Sequence, residues 1–370
     1  MKDHSHGAGI PLQIRSERPR STNPSDFAAI TIRDEQWRYL HVDRLGGLEG
    51  ALTPFSGGVK GAKTGQVAVA DSIRGSVGLP EDLVAANVWQ ATTDVRTFTF
   101  EGEMGTHVLD LDVSGERQAI SLFIEAKPFS RGTLVLNHTG SGSLAQIVEI
   151  LIHEEADINV VSVQNLNDTA VFTSSHFAKL GRNAKLKHVV VSLGGKTIRV
   201  VPSVTFSGPG ANIQMLGAYF ANGDQHIEHR PFVDHNQPNC VSDVAYKGAL
   251  QGQKAHTVWV GDVLIRKEAE GTKTYELNRN LLLTDGARAD SVPNLEIETG
   301  QIEGAGHASA SGRFDDEQLF YLQARGISEQ DAKRLVVKGF LNDVISKIGV
   351  PELEDSLNAD IASKLEGVSK

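Results

Sequence analysis

The sequence predicts a mainly β protein: a solenoid of stacked strands that ends in a short helical tail. Three observations carry this expectation. Short β-rich runs follow one another from about residue 95 to Ile302, with no helical pattern between them. A turn ending in alanine recurs just ahead of several of those runs. Beyond residue 313 the apolar residues change to a spacing of three and four, the period of a helix and not of a strand.

The bulk numbers agree. At 370 residues, 40% hydrophobic and 22% charged, the chain has the make-up of a soluble protein with a large core. Its 37 glycines favour a turn-rich fold. A net charge of −10 without a basic block speaks against nucleic-acid binding, which depends on neutralising phosphate. There is no apolar run of about 18 residues to span a membrane. The start, Met1 to His6, lacks the apolar stretch of a secretory signal, so a cytoplasmic location is expected.

Residues 1–94 read as an N-terminal arm followed by a small mixed or helical region. Residues 1–30 are polar, with Pro11, Pro19 and Pro24, and read as a mobile arm; His4 and His6 read as part of that arm and not as a metal site. Residues 31–50 hold a cluster with Trp37, Tyr39 and Leu45, and Thr53 to Gly58 opens a glycine-rich loop. Pro80-Glu81-Asp82-Leu83 has the signature of a helix start, with Leu83, Val84, Val88 and Trp89 on its buried face.

Residues 95–312 read as the solenoid core. Val95–Phe100, His107–Val113, Ala119–Ile124, Thr133–Val135 and Ala145–Ile152 are its first strands, many of them alternating apolar and polar. Alanine-ending turns occur at Ala156, Ala184, Ala211, Ala255 and Ala289, four of them as G-x-x-A. The intervals are 28 and 27 residues, then 44 and 34, so the repeat is imperfect. Glycine in an unusual backbone conformation and a small inward residue are what a tight solenoid corner needs.

Residues 313–370 read as three helices. The first, Asp315 to Arg325, stops at Gly326; the second starts at Ser328 with a capping box and carries Leu335, Val336, Phe340, Val344, Ile345 and Ile348; the last shows a stripe of Leu353, Leu357, Ile361 and Leu365. Pattern alone leaves open whether this tail caps the solenoid or docks a partner.

Few chemical motifs are complete. Leu193-Gly194-Gly195-Lys196-Thr197 lacks the first glycine of a phosphate loop and opens no helix, so it reads as a turn; Gly57–Thr64 fails because Ala62 precedes Lys63. There is no G-x-S-x-G. His226, His229 and His235, with Asp224 and Asp234, form the densest group among 13 histidines, but strand residues three apart face opposite ways. Cys240 is the one cysteine; it reads as a buried inert thiol, and one thiol cannot hold a four-thiolate cluster. His307 stands among small neighbours where the β region meets the tail. It reads either as a hydrogen-bonding residue of that junction or as a ligand or base at an interface.

Three stretches carry a family resemblance: Arg33-Asp34-Glu35-Gln36-Trp37-Arg38-Tyr39; Asp234-His235-Asn236 through Cys240-Val241-Ser242 with Lys247-Gly248; and Pro293 to Ile297, Gly304 to Ala308, Gly312 to Leu322 and Arg325-Gly326-Ile327. Together they resemble the SufB/SufD family of iron–sulfur cluster assembly proteins. The resemblance implies a right-handed parallel β-helix with helical terminal regions. It implies pairing with a SufB-like paralogue through the β-helix and binding of a SufC-like ABC ATPase through the C-terminal helices. It also implies an iron–sulfur cluster held transiently and shared with the partner, with His307 at the position of the interface histidine of SufD. Many members carry a cysteine two residues before that histidine; here it is Ala305, which favours a SufD-like, non-catalytic subunit. The alternatives are a β-helix enzyme acting on polysaccharide and a structural homodimer with no metal role.

Overall fold

The computed structural model describes residues 19–313 and 316–366; the His4 and His6 pair and the Phe314-Asp315 junction lie outside them. The chain is a two-sheet β-solenoid of about 8 turns with a few C-terminal helices, 16% helical in all.

Residues 19–30 belong to the expected mobile arm but are pinned. The Ser21 N–H donates to the Pro80 carbonyl at 3.1 Å, the Gln90 amide donates to the Thr22 carbonyl at 2.8 Å, and Ile30 is buried. Three 3-10 turns, Pro24–Asp26, Glu35–Trp37 and Val42–Leu45, precede β1 (Thr53–Pro54), β2 (Val59–Gly61), β3 (Gly65–Ala68) and α1 (Leu83–Ala91). Asp82 caps α1 by accepting from the Ala85 N–H at 2.8 Å. Val84 and Val88 are buried as expected, with Ala85 and Ala86; Leu83 and Trp89 are half-buried. This region packs Trp37, Leu40, Leu45 and Val84 on Ala145, Ile147 and other outward residues of one sheet.

Each solenoid turn lays one strand in each sheet. The strands are β4 (Asp94–Phe100), β5 (Glu103–Asp112), β6 (Gln118–Ala126), β7 (Arg131–Thr139), β8 (Ser143–Ile152), β9 (Asp157–Gln164), β10 (Val171–Leu180), β11 (Lys185–Ser192), β12 (Thr197–Phe206), β13 (Asn212–Asn222), β14 (His226–His229), β15 (Phe232–His235), β16 (Val241–Gln251), β17 (His256–Ile265), β18 (Lys273–Leu282), β19 (Arg288–Ile297) and β20 (Gly304–Arg313). Pro231, which has no N–H for the ladder, separates β14 from β15. Sheet one runs β3, β4, β6, β8, β10, β12, β14 with β15, β17, β19; sheet two runs β2, β5, β7, β9, β11, β13, β16, β18, β20. Pairing is parallel throughout except where β2 meets β5 and β3 meets β4.

The corner ahead of sheet two explains the alanine repeat. Phe129, Glu155, Asn183, Gly210, Asn239 and Gly271 have φ between 54° and 73°. Each precedes a fully buried small residue: Ser130, Ala156, Ala184, Ala211, Cys240 and Thr272. Left-handed backbone turns the chain, and only a small side chain fits inside the turn. The repeat looks irregular in sequence because two corners are mixed. Ala255 precedes β17 at the other corner, and Ala289 lies within β19 opposite Thr257. Cys240 holds the alanine place in the turn between Ala211 and Ala255, and Thr272 holds it in the next.

The tail consists of α2 (Asp316–Ala324), α3 (Glu329–Ile345) and α4 (Pro351–Glu366). Ser328 caps α3 by accepting from the Asp331 N–H at 3.1 Å. Val337, Leu341, Val344, Ile345 and Ile348 are buried with Leu357, Ile361 and Leu365 against Val161, Val189 and Leu216 on the outer face of sheet two. The expected stripe on α3 is thus rotated: Leu335 is exposed, and Val337 and Leu341 take its place. α3 and α4 lie along the flank of the solenoid, and among the described residues no further strand pairs with the outer edges of β19 and β20.

Candidate functional site at the open end of the solenoid

Strand alternation decides what reaches the lumen. In β18, Thr274, Glu276, Asn278 and Asn280 are buried, while Lys273, Tyr275 and Arg279 are exposed or partly so. Register carries that parity to β20, where Ala305 pairs with Thr274, His307 with Glu276 and Ser311 with Asn280. Across the lumen, Ser291 of β19 lies next to Trp259 of β17, and Pro293 next to Gly261. His307 therefore sits on the lumen side of the last rung. It is exposed because, among the described residues, no further rung covers it.

A polar column runs through the lumen towards this end. His229 donates through Nε2 to Ser192 Oγ at 3.0 Å, and that hydroxyl donates to Gln164 Oε1 at 2.8 Å. The Tyr219 hydroxyl donates to Asn280 Oδ1 at 2.7 Å and accepts from Asn278 Nδ2 at 2.8 Å, and Asn280 Nδ2 donates to Ser311 Oγ at 3.3 Å. Burial holds His229 and His235 down to about 3 and His138 and His188 down to about 4, so these imidazoles are neutral donors and acceptors. Burial, reinforced by the Asp262 charge, pushes the Glu276 carboxyl up to about 8.

The other sequence candidates do not converge here. His226 faces outward, its Nδ1 3.2 Å from His256 Nδ1, while His229 and His235 face inward. His235 Nε2 lies 2.8 Å from Ser242 Oγ and its ring stacks on Phe206. Asp234 accepts two bonds from Arg266, both at 2.7 Å. Cys240 is buried, its thiol directed at the Pro238 and Gly208 carbonyls, and burial raises its pKa. Gly195 forms a turn at φ 92° between β11 and β12, as the failed phosphate-loop pattern implied.

The signature of the SUF system FeS cluster assembly SufBD core domain matches residues 109–340. The chain belongs to the SufBD family. It is 45% identical over 351 residues to an iron–sulfur cluster assembly SufBD family protein of Mycobacterium leprae, covering 90% of each chain. A Mycobacterium tuberculosis protein of the same description is also 45% identical, over 354 residues, 90% of this chain and 89% of the relative. A second SufBD family protein of that organism is 27% identical over 221 residues, 60% of this chain and 26% of its own. An iron–sulfur cluster assembly protein SufD of Plasmodium berghei is 28% identical over 222 residues, 60% of this chain and 16% of that one.

The family motifs thereby acquire structural roles. In the N-terminal motif, Trp37 lies 3.9 Å beneath the Arg199 guanidinium, and Arg199 and Arg230 donate to the Gln36 and Glu35 carbonyls. In the middle motif, Asn236 Oδ1 accepts from the Phe206 N–H at 2.9 Å, tying adjacent rungs. In the C-terminal motif, Ala305 packs on the core beside the exposed His307. Sequence reasoning missed Glu276. Its signal was the polar run Thr274, Glu276, Asn278, Asn280 at every second position, which marks the inner face once its burial is known.

Proposed function

We propose that this SufBD family chain is a SufD-like scaffold subunit of a SUF assembly complex and has no turnover of its own. In this reading residues 95–312 pair with a SufB-like paralogue and residues 313–370 dock a SufC-like ABC ATPase, while the described part of residues 1–94 packs on the solenoid. The cluster is cargo, shared with the partner, and His307 is this chain's contribution to its site. ATP binding by the ATPase changes the shape of the complex, and this chain transmits that motion.

The observation that carries the reading is the contrast between His307 and Cys240. The single thiol is buried in a corner, whereas an imidazole stands exposed on the terminal rung. Imidazole serves iron as a minority ligand beside thiolates supplied from elsewhere. Exposed Phe320, Tyr321 and Leu335 on α2 and α3 support a docking role for the tail. Two SufBD relatives in one organism, at 45% and 27% identity, support a paralogous pair. Family membership favours assembly over the polysaccharide and homodimer alternatives.

Co-expression with SufB-like and SufC-like partners, followed by sizing and iron analysis, tests the reading. A stable three-component complex is expected, with His307→Ala lowering cluster yield while assembly is unchanged. Unchanged yield removes the role given to His307, and undiminished ATPase binding after deletion of residues 313–370 removes the docking role.

A further inference from the structure

Glu276 is the anomaly of the lumen. Its side chain is 1% exposed, and both carboxylate oxygens are buried without a hydrogen bond. Its lumen neighbours Asn278 and Asn280 are satisfied through Tyr219 and Ser311. The fold makes room for the carboxylate, because a Cβ at Gly261, on the facing sheet, would lie 2.8 Å from Glu276 Oε1. Trp259 Nε1 and Ser291 Oγ, in the adjoining sheet-one rungs, are also buried without partners. A buried carboxyl group with neither oxygen hydrogen-bonded calls for an explanation, and a bound cation would supply one.

The residue paired with Glu276 on the last rung is His307. Neighbouring strands lie about 4.8 Å apart, close enough for a carboxylate oxygen and an imidazole nitrogen to reach one ion at about 2.0–2.2 Å each. We propose that Glu276 is a metal ligand: with His307 it gives this chain a site for a single ferrous ion at the open end of the solenoid, formed before a partner's thiolates arrive. Oxygen and imidazole donors suit a divalent iron ion, water fills the outer positions, and the open end admits the ion. This inference rests on the reading of His307 as cluster-facing.

The test titrates the full-length chain with Co2+, a redox-stable probe with visible absorption, without oxygen. The background carries His4→Asn, His6→Asn and Cys240→Ser to remove other ligands. One Co2+ per chain is expected, and Glu276→Gln and His307→Asn should each weaken it by about tenfold or more. Glu276→Gln should melt no lower than its parent in metal-free buffer, since neither carboxyl oxygen makes a hydrogen bond that the amide would lose. Absence of a site in the parent, equal affinity after Glu276→Gln, or a lower melting temperature for that variant would each overturn the proposal. Affinity lost with His307→Asn but kept with Glu276→Gln overturns the role of Glu276 alone and leaves the reading of His307 intact.

Discussion

The guanidinium of Arg199 lies 3.9 Å over the ring of Trp37. The same side chain is 2% exposed and reaches Asp82 at 3.0 Å and Glu228 at 3.2 Å. It therefore joins the N-terminal region, the cap of α1 and the outer face of sheet one. Arg199→Ala leaves Asp82 and part of Glu228 buried without a counter-charge, and about 3–5 kcal/mol of stability should be lost. Urea unfolding measures this, and a loss below about 1 kcal/mol would show that the cluster is dispensable.

Acid should weaken the solenoid through its lumen. Unfolded imidazole titrates near 6.5. In the folded chain His138 and His188 are held to about 4, His229 and His235 to about 3, and His176 well below its ordinary value, all chiefly by burial. Below pH 6.5 the unfolded chain takes up protons that the folded chain refuses. The stabilisation is thus complete above about pH 7 and falls towards pH 3–4, by at most about 1.4 kcal/mol per pH unit for each histidine. Glu276 opposes this between its ordinary value and about 8, one group against five. Denaturation midpoints should drop from pH 7 to pH 5, and His229→Gln should flatten the slope; equal slopes would refute the assignment.

The corner before β16 gives a sharper contrast. Asn239 has φ 58° and Cys240 is fully buried behind it. Asn239→Gly should be nearly neutral, whereas Asn239→Val should cost about 1–2 kcal/mol. Cys240→Ala should be tolerated and Cys240→Leu should destabilise by about 1–3 kcal/mol. The native thiol should resist a disulfide reagent until denaturant is added; rapid labelling of folded protein would contradict its burial.

On the tail, burial and exposure separate stability from binding. Leu341→Ala, beneath α3, should cost about 2–5 kcal/mol. Phe320→Ser with Tyr321→Ser should leave unfolding unchanged, since both are exposed, but weaken capture of a SufC-like ATPase. Capture at wild-type strength would place the docking surface elsewhere.

Periodicity made the solenoid legible, because a parallel coil repeats its corner and alternates its faces. Val95–Phe100 and Ala145–Ile152 differ from the observed strands only at their ends. Register was not legible. A cysteine in the alanine position at 240 hid one turn, and Ala255 belonged to the opposite corner. Leu335 followed helical spacing yet faces solvent, because α3 meets the sheet on a neighbouring stripe. His307 was found through resemblance to a family, whereas Glu276 became visible only once the register placed it next to that histidine. A lone glutamate in a strand carries no mark of being unpaired.

The two ends of the solenoid are unlike. Short antiparallel β2 and β3 are the edge strands at one end, and long parallel β19 and β20 are the edge strands at the other, among the described residues. The short antiparallel strands at one end and the long parallel edges at the other are therefore not interchangeable, and a second stack of strands would find the longer ladder at the β19/β20 end.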